Sequence, residues 1–112
     1  MKDHNYFVYI LTNRTQSTLY VGMTNDLEER ILRHYFNKGD KSTFSGRYQC
    51  YFLIYFERFQ YVWHAIEREK EIKKWRRAKK EMLIKEMNPN WNFLNSEIME
   101  WPPKGDKEDY FE

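Results

Sequence analysis

The sequence predicts an α/β chain of the α+β type, a small three-stranded, mainly antiparallel sheet flanked by helices in the order β-β-α-β-α-α. Three observations predict it. Tyr6–Leu11 and Leu19–Met23 are aromatic, aliphatic and β-branched runs separated by polar residues, which reads as a hairpin. Leu27, Ile31 and Tyr35, joined by Leu32 and Phe36, recur at helical spacing. A third apolar run, Cys50–Phe56, precedes a long stretch from Tyr61 to Met87 that holds neither Gly nor Pro.

Each element has its own boundary signals. Thr12–Thr18 is polar turn material between the first two strands. Asn25, with Glu28 three residues on, forms a capping-box pattern that predicts a helix over 26–36. Lys38–Gln49, with Gly39 and Gly46, reads as a loop long enough to be functional. In the stretch 61–87, Ala65, Ile72 and Trp75 make one apolar stripe and Ala78, Met82 and Leu83 the next. The reading is one bent helix or two abutting ones, stopped at Pro89. Residues 4–94 form the expected domain, and the acidic segment 95–112, with Pro102-Pro103, is expected to be a flexible tail.

Composition narrows the classes. The chain has 112 residues, enough for one domain. Aromatics make up 19% of it, which excludes a disordered chain. A membrane helix needs about twenty apolar residues, far more than the longest unbroken run, Cys50–Phe56. Met1–Asn5 lacks the apolar stretch of a secretory signal. Cys50 is the sole cysteine, so no internal disulfide forms and a reducing, cytoplasmic setting is expected.

The net charge of +2 hides a division. Residues 95–112 carry a net −4 and the remainder therefore +6. Residues 68–80 hold eight bases and two acids. That density exceeds what a helix needs to stay soluble, and several neutralised phosphates would make binding strongly salt-dependent. The expected partner is a nucleic acid, gripped through its backbone by Lys70, Lys74 and Arg77 on this lane and by Lys41 and Arg47 in the 38–49 loop. No membrane and no protein partner is indicated.

Period-two alternation sets Phe7, Tyr9 and Leu11 on one strand face and Tyr20 with Gly22 on one face of the next strand. Tyr9 and Tyr20 then face each other across the hairpin, with Gly22 leaving room beside them. Arg30 and His34, four residues apart, share a helix stripe bordering Leu27 and Ile31. Glu67 lies off the Ala65–Ile72 stripe, on the side continued by Lys70, Lys74 and Arg77. A carboxylate beside a positive lane suits a metal-bound phosphate better than a core.

These residues carry a family likeness. Val8-Tyr9-Ile10, followed at a short interval by Tyr20-Val21-Gly22, resembles the paired signature of the GIY-YIG nucleases. Thr24, Leu27, Arg30 and His34 follow in order, then Ala65-Ile66-Glu67, Ile72-Lys73-Lys74-Trp75 and Asn88-Pro89-Asn90-Trp91-Asn92. The likeness spans residues 4–94 and is nearest to the small standalone branch, similar to the N-terminal catalytic domain of the bacterial excision-repair nuclease subunit. It implies a GIY-YIG-like fold and a metal-dependent endonuclease that hydrolyses phosphodiester bonds in DNA, structure-selective or weakly sequence-specific. The alternative is a non-catalytic nucleic-acid-binding module that retains the fold.

Carried over by position, the resemblance makes Tyr20 the general base or its relay and Tyr9 its support at the scissile phosphate. Arg30 neutralises charge on the phosphate oxygens, and His34 assists proton transfer or positions water. Glu67 becomes the single protein ligand to Mg2+ (or Mn2+), and Asn92 matches a polar position near the metal. A free phenol has a pKa near 10, and Arg30, the lysines and a cation are expected to lower it. Three departures stand out: Val8 replaces the first Gly, Met23 stands where some relatives carry Lys, and Trp75–Ala78 lacks a capping residue.

Overall fold

The computed structural model describes residues 4–111. Its sheet has the order β2-β1-β3, with β1 (Tyr6–Thr12) central and antiparallel to both β2 (Leu19–Thr24) and β3 (Phe52–Phe59). The central position explains why Tyr6–Leu11 reads as an unbroken apolar run. Both faces of β1 are covered, and Val8, Tyr9, Ile10 and Leu11 are fully buried.

The two faces build two cores. Val8, Ile10 and Val21 point to one side, against Ala65 and Ile72 of α3 (Val62–Lys74) and Ile84 of α4 (Arg77–Met87). Tyr9 and Leu11 point to the other, against Leu27 and Ile31 of α1 (Leu27–Phe36), with Cys50, Leu53 and Leu94. Register shifts between Ile10 and Leu11, where Ile10 faces Tyr55 and Leu11 faces Leu53. The extra residue, Ile54, is the bulge, and it stays buried in the first core.

Local chemistry moves some boundaries. Asp26, not Asn25, caps α1, its carboxylate accepting from the Glu29 backbone N–H at 3.1 Å. Thr24 Oγ1 accepts from Asp26 N–H and holds the cap in place. The loop after α1 contains a short helix, α2 (Phe44–Arg47), capped by Thr43. The long stretch 61–87 is two helices, broken where Trp75 and Arg76 adopt extended backbone at ψ 150 and 157. No Gly or Pro makes this break. Trp75 is drawn against the first core, with Lys79 over its ring at 4.4 Å.

The segment after Leu94, expected to be a flexible tail, packs against the domain. Asn95 at the start of α5 (Asn95–Ile98) is buried and satisfied: its Oδ1 accepts from Leu53 N–H at 2.8 Å, and its Nδ2 donates to Tyr51 O at 3.0 Å. Trp101 meets Tyr35 edge-on at 5.1 Å. Tyr110, closing α6 (Lys107–Tyr110), and Phe111 lie against Phe36. The acidic composition of this segment concealed these aromatic contacts.

Candidate active site

The site is built on the face of the β1–β2 hairpin that α1 covers. Tyr9 stands opposite Gly22, and Tyr20 opposite Leu11, so the phenols are diagonal neighbours with ring centroids 6.3 Å apart. Gly22 is required at its position. A Cβ there would lie 2.5 Å from Tyr9 Cζ and closer still to the hydroxyl oxygen. The room that Gly22 leaves is thus filled by the Tyr9 phenol.

Arg30 and His34 both lean over this face. The Tyr9 hydroxyl and His34 Nε2 are 3.0 Å apart, and His34 Nδ1 lies 3.0 Å from Ser45 Oγ. A neutral imidazole offers one donor and one acceptor, which matches this chain. Burial, reinforced by the Arg30 charge, holds the His34 pKa down to about 4, so the ring is neutral at physiological pH. At Tyr9 the expected lowering by Arg30 is present but outweighed. Burial dominates and pushes its pKa up, helped by Tyr20, and the Arg30 charge opposes without prevailing.

Tyr20 is only half-buried. Its ring meets His34 edge-on at 5.1 Å and stacks on Phe44 at 6.3 Å. Arg30 Nη1 reaches the Met23 carbonyl at 3.5 Å, which keeps the guanidinium beside β2. The 38–49 loop therefore contributes to the site through Ser45 and Phe44, both on α2. Sequence reading marked the loop as functional but named neither residue. A loop serine carries no periodicity signal, and only the fold brings it to His34.

Glu67 does not join the tyrosines. One residue is about 100° of helix rotation, so Glu67 projects from α3 nearly opposite the buried Ala65–Ile72 stripe, whereas Glu69 lies beside it. Glu67 is exposed and lines an outer groove with Phe59, His64, Arg68 and Glu71. Glu69 has a side chain 22% exposed, pairs with Lys73 at 3.4 Å, and is near enough for its charge to raise the Tyr9 phenol. The reasoning that took Glu67 from the buried stripe took it from the sheet as well.

Other expected residues are scattered. Asn92 is exposed in the turn after α4, its backbone tied to Asn88, whose side chain holds the Ile54 carbonyl on β3. That is the outer strand opposite β2, so Asn92 does not join the tyrosines. Arg77 donates to the Ser17 and Gln16 carbonyls at 2.7 and 2.9 Å and to Glu81 at 2.7 Å, fastening α4 to the hairpin turn. Arg47 Nη2 donates to the Lys41 carbonyl at 3.1 Å, while Lys41, Lys70 and Lys74 are exposed.

Among the described residues, no three His, Cys, Asp or Glu side chains gather as a metal cluster. A cation near Glu69 would meet one carboxylate and fill its shell with water and phosphate oxygens. Magnesium, a hard ion that retains water, fits that donor set, and a thiolate-seeking or imidazole-seeking ion does not. No helix of the described residues is long and apolar enough to cross a membrane.

A hairpin that presents two diagonal tyrosines to an arginine and a histidine on the following helix is the arrangement the sequence likeness implies. The sequence profile of the GIY-YIG catalytic domain matches residues 5–82, and the chain belongs to the GIY-YIG family, a nuclease family whose members generally depend on a divalent metal. Its relatives are small proteins of similar length. It is 38% identical over 87 residues to a UPF0213 protein of Bacillus pumilus, covering 78% of this chain and 86% of the relative. A UPF0213 protein of Haloquadratum walsbyi is 41% identical over 86 residues, covering 77% and 92%. The solution NMR structure of a UPF0213 protein from Bacillus halodurans is similar at 33% identity with a TM-score of 0.50, covering 78% of this chain and 89% of that one.

Proposed function

We propose that the chain is a metal-dependent DNA endonuclease, structure-selective or of weak sequence preference, with Mg2+ or Mn2+ as cofactor and residues 4–94 as the catalytic unit. The observation that carries this reading is the convergence of Tyr9, Tyr20, Arg30 and His34 on one hairpin face, with Glu69 close enough to act on Tyr9. The lone cysteine, Cys50, buried as a free thiol, suits a cytoplasmic setting.

In this reading Tyr20, the more exposed phenol, meets the attacking water and is the base or relay for its proton. Tyr9 backs it, its hydroxyl fixed by His34. The neutral His34 ring, engaged at both nitrogens, positions the Tyr9 hydroxyl, and Ser45 sets its orientation. Arg30 stabilises charge that grows on the phosphate oxygens as the nucleophile adds and the leaving oxygen departs. Glu69 takes the ligand role that the likeness suggested for Glu67, and the bound cation would supply Lewis-acid stabilisation of the phosphate. Lys70 and Lys74 on α3, with Lys41 and Arg47 in the loop, contact the backbone without reading bases.

The test is incubation of the purified protein with linear, nicked, flapped and branched DNA, with magnesium, with manganese and with chelator. Magnesium-dependent products are expected from the native chain. Tyr20→Phe and Glu69→Gln are expected to reduce cleavage at least 100-fold, the scale of losing a principal transition-state contact, with DNA binding retained. Glu67→Gln is expected to cleave normally. Salt-sensitive binding without any metal-dependent product would reject the enzyme in favour of the non-catalytic module.

A further inference from the structure

The start of α3 carries an aromatic feature with no part in either core. Tyr61 and Trp63 stack on each other, with ring centroids 5.4 Å apart and planes within 8°, and His64 stands edge-on to both. Trp63 is 57% exposed and Tyr61 48%. The two rings are thus parallel to each other and about half exposed.

Its setting is cationic. At about 100° per residue, Trp63, Ile66, Lys70, Lys73 and Lys74 fall within about 100° of the α3 circumference. Glu67 and Glu71 lie beyond one margin of this arc and Glu69 beyond the other. Lys73 is held by Glu69, while Lys70 and Lys74 enter no ion pair among the described residues. Trp63 precedes Glu69 by six residues, about 9 Å along the helix axis and about 120° around it, so the platform stands on the outer flank of α3.

We propose that the exposed Trp63 ring, stacked on Tyr61 and bordered by Lys70 and Lys74, is a subsite for an unpaired nucleobase of a DNA strand whose phosphates run along α3. The proposal rests on the reading of α3 as the DNA-facing helix and adds the feature of the substrate it engages. A paired base keeps its faces in its own stack, whereas an unpaired one gains from an aromatic platform. One ring face framed by lysines matches a base; a stable protein interface needs about 800 Å² from each partner. The platform favours strands that carry an unpaired nucleotide away from the scissile phosphate, such as flaps and gaps.

Fluorescence anisotropy of labelled strands, in chelator so that nothing is cleaved, tests this with the full chain. Trp63→Ala is expected to weaken binding to an oligo-dT strand about fivefold or more, and Trp63→Phe to retain most of it. An abasic strand of equal length is expected to bind the native chain and Trp63→Ala alike, and a blunt duplex to show no difference either. Equal oligo-dT affinity of Trp63→Ala and the native chain would overturn the subsite. So would an equal loss on abasic and normal strands, or altered self-association in Trp63→Ala with unchanged DNA affinity. Because hydrolysis takes no part in the measurement, failure of the subsite leaves the nuclease reading standing. An absence of cleavage activity leaves the binding result standing.

Discussion

Replacing Gly22 with alanine tests the arrangement at its tightest point. The added Cβ would lie 2.5 Å from Tyr9 Cζ and nearer still to the hydroxyl oxygen, where carbon atoms pack at about 3.5–4.0 Å. The phenol must therefore move by about 1 Å. It is fully buried, so the movement pushes on the α1 side of the core. Overpacking of this kind costs about 1–3 kcal/mol, and breaking the 3.0 Å contact with His34 adds about 0.5–1.5 kcal/mol. The expected total is about 2–4 kcal/mol, read from a lower urea midpoint at unchanged slope. Cleavage should fall with it, because the displaced hydroxyl no longer meets His34. In a Tyr9→Phe background the closest atom and its hydrogen bond are already gone, so Gly22→Ala should cost less, with a coupling of about 0.5–3 kcal/mol. A native urea midpoint for Gly22→Ala, or an equal cost in both backgrounds, would refute the reasoning.

Three further outcomes follow from the geometry. Ser45→Ala leaves His34 Nδ1 without its 3.0 Å partner, so kcat should fall roughly tenfold, about 1.4 kcal/mol, with KM for DNA unchanged in steady-state cleavage. The folded His34 pKa near 4 lies below the ordinary 6.5, so between these values the unfolded chain binds the extra proton. Stability should be full above about pH 6.5 and decline by about 3 kcal/mol as pH falls towards 4. Urea titrations should show His34→Gln lacking this part of the decline. Arg77→Ala removes the donors to the Ser17 and Gln16 carbonyls and should lower stability by about 1 kcal/mol, measured by thermal unfolding, whereas exposed Lys74→Ala should leave it unchanged.

The periodicities in this chain belong to the backbone, so they survive without coordinates. Alternation in Tyr6–Leu11 places Tyr9 and Tyr20 on a common face, and the four-residue spacing of Arg30 and His34 holds them on one stripe of α1. Their ordered recurrence carries the family likeness. The same logic does not choose the carboxylate. Glu67 and Glu69 are two residues apart, and the choice between them depends on which edge of the sheet α3 crosses. Likewise Asn92 has a suggestive neighbourhood in sequence, but the β3 edge claims it through Asn88.

The sequence by itself determined the order of the main elements, the strand faces that carry the tyrosines and the cationic helix, because each follows from spacing within a single segment. Only the tertiary structure decided that Ser45 orients His34, that Glu69 rather than Glu67 approaches Tyr9, and that the residues after Leu94 pack on α1 and the start of β3. Those outcomes depend on where segments distant in the chain meet, and on burial that reverses the expected shift at Tyr9. Spacing along one segment is blind to both.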